Sequence, residues 1–92
     1  MEFQWDAAKA EANKAKHGVR FHLATRVFFD PYRVDLYDGR QDYGEDRWVT
    51  IGYADPALLY VVYTVRGDDA IRLISARKAN EKERKQYRQA HA

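Results

Sequence analysis

The stretch IRLISARKANEKERKQY, residues 71–87, runs from an alternating apolar segment into a basic one and spaces Arg72, Arg77, Arg84 and Tyr87 along it. Guanidinium groups grip phosphate oxygens through a planar fork and stabilise the extra charge of a phosphorane. If AIRLISA, residues 70–76, is a strand, strict alternation puts Arg72 with Ile74 and Ala76, and Ile71, Leu73 and Ser75 on the opposite face. Arg77 follows at the strand's end, where it can reach over the same edge as Arg72. Such a pair can hold a phosphodiester. The plainer reading of Arg72 is an exposed sheet face with an acid on the next strand.

Beyond the strand, Arg84, Tyr87, Arg88 and His91 recur at helical spacings of three and four and share a face. Tyr87 can stack on a base or orient a hydroxyl, or simply pack its helix onto the sheet. His17 can exchange protons near neutral pH, or it can complement the carbonyl end of the helix it closes. His22 falls within a helix and His91 in a tail. Three scattered histidines without a spaced carboxylate do not form a metal site, and neither a glycine-rich phosphate loop nor Ser-His-Asp spacing occurs. Chemistry without a metal or cofactor, or no chemistry, is what these residues leave.

The elements that must position them follow from periodicity. Phe3 and Trp5 alternate as a short first strand. Asp6 can cap a helix from Ala7 that His17 and Gly18 close. Phe21, Ala24, Val27 and Phe28 share one face of a second helix over about 20–29, ended at Asp30-Pro31. YRVDLYD, RWVTIGYA, LLYVVYTV and AIRLISA then read as four strands, with the polar GRQDYGED, residues 39–46, as the expected mobile loop. Asn80 with Glu83 three residues on signals the last helix. The order β-α-α-β-β-β-β-α gives an α+β fold, an antiparallel sheet with helices packed on one face.

The 92 residues suit one domain, 1–92, with 46% hydrophobic and 33% charged residues, and the absence of cysteine excludes disulfides and thiolate metal sites. The longest apolar run, Ala57 to Val65, is too short for a bilayer, and MEFQWD is unlike a signal peptide, so a cytoplasmic address with no membrane association is expected. Net charge is +2, unevenly spread: residues 1–65 carry eight basic against ten acidic side chains, residues 66–92 eight against four. A local basic patch, rather than a basic protein, suits one particular anionic ligand face, and it is equally compatible with a solvated helix.

Four ordered blocks, FQWDAAKAEANKAKHGVRF, ATRVFFDP, EDRWVTIG and IRLISARKANEKERKQY, resemble the BrnT toxins of bacterial type II toxin–antitoxin modules. The first is similar to that family's opening W-D-x-x-K-x-x-x-N-x-x-K-H-G-V-x-F. The resemblance implies a RelE-like fold and a ribonuclease activity that arrests translation. It also implies neutralisation by a BrnA-like antitoxin with a ribbon-helix-helix region, through which alone DNA would be contacted. It places Lys9, His17, Arg47, Arg72, Arg77 and Tyr87 in family motifs as the expected catalytic set. Arg66, Lys78, Arg84 and Arg88 extend that set as RNA-binding residues. Within it, Arg72 and Arg77 are expected to carry charge, His17 to transfer protons, Arg47 or Lys9 to support, and Tyr87 to position RNA. The alternative is a non-catalytic RNA- or protein-binding module with a basic cleft.

Overall fold

In the computed structural model of the chain, residues 1–39 and 44–90 are described. Residues 40–43, the centre of the loop expected to be mobile, and His91 lie outside them. The elements are β1 (Glu2–Gln4), α1 (Ala7–His17), α2 (Phe21–Ala24), a 3-10 turn (Thr25–Phe29), β2 (Val34–Asp38), β3 (Arg47–Ala54), β4 (Ala57–Arg66), β5 (Ala70–Lys78) and α3 (Glu81–Gln89). The expected element order holds, although the second helix keeps α geometry for only one turn before tightening. Among the described residues, no helix is long and apolar enough to cross a membrane.

The helix signals act as their chemistry requires. The Asp6 carboxylate accepts from the Lys9 backbone N–H at 3.0 Å, satisfying one of the free donors of the first turn. Gly18 ends α1 at φ +71, in the left-handed region where a Cβ is costly, and its N–H donates to the Lys14 carbonyl at 2.8 Å. Asn80 and Glu83 form a reciprocal capping box at the start of α3.

The five strands order as β1-β5-β4-β3-β2. From β2 to β5 the sheet is the expected antiparallel meander, while β1 joins β5 in parallel. The two chain segments are far apart in sequence, and nothing local in a three-residue strand fixes its direction. One sheet face carries the main core, with Val27 and Phe28 of the 3-10 turn against Leu59, Val61, Tyr63 and Leu73. Gly52 lets that turn approach closely, since a Cβ there would meet Val27 Cγ1 at 2.5 Å.

The placement of helices differs from expectation. α1 and α2 lie with the main core and along the β5 edge, but α3 crosses to the opposite face. There Lys82, Glu83 and Gln86 border Leu36, Val49 and Tyr60, and Val49 and Ile51 are buried. α3 is almost wholly polar, and Glu83 anchors it to this face through Arg77.

A β-bulge corrects the expected face assignment on β5. Val62 pairs with Ser75 and Tyr63 with Leu73, so Ile74 is the extra residue and alternation resets there. Leu73 and Ala76 therefore both enter the core. Ser75, expected opposite Arg72, shares its face.

Candidate functional site

The second sheet face can be read row by row from the register. Gln4, Arg72 and Thr64 lie side by side across β1, β5 and β4, and Arg47 with Asp38 extend the same end across β3 and β2. The next row carries Ser75, Val62, Val49 and Leu36, and the third Arg77, Tyr60, Ile51 and Val34. α3 covers the part of this face nearest the third row; at the other end Thr64 and Asp38 are buried and Arg72 is half-buried.

Arg72 is half-buried at this end, and its guanidinium makes no hydrogen bond or ion pair with any described residue. Its charge is nonetheless felt at Asp6. The Asp6 carboxyl lies below the usual range chiefly through the Lys9 backbone N–H, with the charges of Lys9 and Arg72 adding to it. Thr64 Oγ1 donates to the Asp46 carbonyl at 2.5 Å, fixing the chain as it enters β3. Glu45 stands between two cations, 3.6 Å from Arg47 Nε and 3.0 Å from Arg66. Arg47 is thus part of a mixed-charge cluster at the rim.

Arg77 shares the Arg72 face, but the two start five residues apart, roughly 16 Å along a strand before the bulge is allowed for. The Arg77 fork is bidentate to Glu83, with both N···O distances 2.8 Å, and its Cζ lies 4.0 Å from the Tyr60 ring centroid. Burial acts to raise the Glu83 carboxyl, but hydrogen bonds from Arg77 and the Asn80 backbone outweigh it and hold it below its ordinary value. The two arginines do not converge on one point.

Tyr87 is also engaged. Its hydroxyl donates to Asp30 Oδ2 at 2.7 Å, and burial first, then that carboxylate, push its pKa to about 12. Asp30 further accepts from the backbone N–H groups of Tyr32 and Tyr53, each at 2.8 Å. One carboxylate therefore ties the 3-10 turn, β3 and α3 together across the sheet edge. Of the remaining basic residues, Arg84 Nε donates to the Ala79 carbonyl at 3.4 Å, Arg88 meets Glu81 at 3.4 Å, and Lys78 is exposed at the end of β5.

α1 brings the other expected groups to the opposite edge of β5. Lys9 and His17 lie on one helix stripe and border a shallow cavity of about 240 Å³ beside Ile74 and Ser75. Buried Asn13 holds the stripe in place. Its side-chain N–H groups donate to the carbonyls of Ala76 at 2.8 Å and Val19 at 3.0 Å, and its Oδ1 accepts from the Ala76 N–H at 3.0 Å. An asparagine thereby occupies the place of a strand partner at an otherwise open sheet edge.

Residues 5–83 match the family described as the ribonuclease toxin, BrnT, of type II toxin–antitoxin systems. The chain belongs to the BrnT family. The fold also resembles the crystal structure of the Brucella abortus ribonuclease toxin BrnT, with a TM-score of 0.68 and 26% identity over 88% of this chain and 99% of that one. A search of curated proteins finds no match. The BrnT-family match takes in Lys9, His17, Arg47, Arg72 and Arg77 and stops short of Arg84, Tyr87 and Arg88. It also takes in Asn13 and Asp30, two residues whose roles sequence reasoning missed. A signal for Asn13 was available, because asparagine is a poor choice inside a helix unless its side chain is committed elsewhere. Asp30 read only as a helix stop.

Proposed function

We propose that this ribonuclease toxin is a metal-independent endoribonuclease that binds RNA across the Arg72 end of its second sheet face and the adjoining edge of α1. The observation that supports this reading most is Arg72. It is a half-buried guanidinium on a strand, unengaged by any described side chain, and its charge is felt with that of Lys9 at Asp6, at the start of α1.

In this reading the RNA 2′-oxygen attacks the adjacent phosphorus while the bond to the 5′-oxygen of the next nucleotide breaks. The products are a 2′,3′-cyclic phosphate and a 5′-hydroxyl. His17 takes the proton from the 2′-hydroxyl or returns one to the leaving 5′-oxygen. Arg72 stabilises the charge on the non-bridging oxygens, with Lys9 supporting and Arg47 contributing from the far rim. Arg66, Lys78, Arg84 and Arg88 add favourable potential along the RNA path. Arg77 and Tyr87 act one step removed, by holding α3 on the sheet through Glu83 and Asp30.

Translation arrest follows in the cell, and a BrnA-like antitoxin neutralises the toxin by covering the Arg72 end of the sheet. Charge complementarity to residues 66–92 would speed its capture. End-group analysis of cleaved RNA tests the chemistry. A 2′,3′-cyclic phosphate with a 5′-hydroxyl supports attack by the 2′-oxygen; a 5′-phosphate would overturn it in favour of hydrolysis by water. Binding without any cleavage would leave the chain a non-catalytic RNA-binding module.

A further inference from the structure

The stripe of α1 that meets the β5 edge is cationic where a packed helix face is ordinarily apolar. Lys9, Asn13, Lys16 and His17 follow spacings of four, three and one, and all four border the same cavity with Ile74 and Ser75. Lys9 and Lys16 are exposed, while Asn13, through its three hydrogen bonds to Ala76 and Val19, fixes the helix against the strand so that both lysines border the cavity. The bulge at Ile74 then turns Ser75 onto the Arg72 face beside it. Among the described residues no carboxylate borders the cavity, and Glu11 lines a separate one with Trp5 and Lys14. Ser75 has no hydrogen-bonding partner for its hydroxyl among the described residues.

We propose that this groove between α1 and β5 is a phosphate subsite, with Lys16 and Ser75 as ligands beside Lys9 and His17. The inference rests on the RNA-cleaving reading for the identity of the ligand, a phosphate of the RNA chain adjoining the one at Arg72. Its chemistry is that of an oxyanion held by point charges and a hydroxyl donor. A subsite here would fix the RNA backbone in register while Arg72 acts on the neighbouring phosphate.

Titration of the full chain with inorganic phosphate, followed by amide and imidazole NMR shifts, tests the subsite without any cleavage. Saturable shifts at Ser75, Lys16 and His17, weakened at least fivefold in Lys16→Ala/Ser75→Ala, are the expected result. Shifts that never saturate, or that saturate equally in the double variant, would overturn it. With a non-cleavable RNA, Lys16→Ala should also flatten the log–log salt dependence of binding by about 0.7, the change expected for one lost phosphate contact to a single strand. An unchanged slope would count against Lys16 as a ligand. A chain that fails to cleave RNA yet shows the phosphate shifts keeps the subsite and loses only the catalytic reading. Cleavage with no such shifts does the reverse.

Discussion

Replacing Arg77 with alanine separates a cation that acts on RNA from one that holds the fold. The side chain donates two hydrogen bonds of 2.8 Å to Glu83 and stacks over Tyr60. Charge-assisted hydrogen bonds contribute about 1.5–3 kcal/mol where they are buried. Glu83 is only 10% exposed, but Arg77 is 35% exposed, so solvent screening pulls the pair toward the lower end of that range. Arg77→Ala should therefore cost about 2 kcal/mol. For a domain of this size that lowers Tm by roughly 8–16 °C. Glu83→Ala should cost about 3 kcal/mol, because it also removes the capping-box contact to Asn80, worth about 1 kcal/mol. The double variant should cost little more than Glu83→Ala alone, giving a coupling of about 1–2 kcal/mol in a double-mutant cycle measured by urea unfolding. Cleavage by Arg77→Ala, assayed well below its melting point, should stay within about tenfold of the parent, or 1.4 kcal/mol of barrier. An Arg77→Ala protein that melts like the parent yet loses cleavage entirely would refute this reasoning and return Arg77 to the phosphate.

The same pair sets a pH dependence. The folded pKa of Glu83 lies below its unfolded value of 4.5, so its contribution is complete above that pH and is lost as pH falls through the folded value. The stability gap between the parent and Glu83→Gln should accordingly narrow below pH 4.5, measured by urea midpoints. Tyr87→Phe removes one donor from Asp30 and should cost about 1 kcal/mol with cleavage retained; in ultraviolet titration the variant should lose one of the two tyrosines, Tyr63 and Tyr87, that are pushed up to about 12. Asn13→Ala leaves the Ala76 N–H and two carbonyls without their partner and should cost about 3 kcal/mol in thermal melts, as expected for buried groups left unsatisfied.

The parts legible in the sequence were those governed by local chemistry. Asp6, Gly18 and the Asn80–Glu83 box announced their helix ends, because capping involves residues within one turn. The β2–β5 meander followed from alternation and short connections. What stayed hidden depended on distant pairing. The bulge at Ile74 has no glycine to mark it, yet it decides that Ser75 lies with Arg72 and that Leu73 and Ala76 share the core. β1 lies parallel to β5 because of contacts some seventy residues apart. α3 reaches the second face through an ion pair whose partner sits on β5. For the site, residue type singled out Arg72, Arg77, Tyr87 and His17 as candidates. It could not show that Arg77 and Tyr87 already have partners, whereas Arg72 has none among the described residues.

In the proposed chemistry Arg72 supplies charge to a phosphorane in a reaction that needs no divalent ion. Labelled RNA incubated in EDTA with the purified chain and with Arg72→Ala, prepared in parallel and matched for melting temperature, tests it most directly. Cleavage by the parent and a loss of roughly a hundredfold or more in rate for the variant are expected, equivalent to about 3 kcal/mol of transition-state stabilisation. Equal cleavage by both proteins, or cleavage by the parent that vanishes in EDTA and returns with magnesium or manganese, would contradict it.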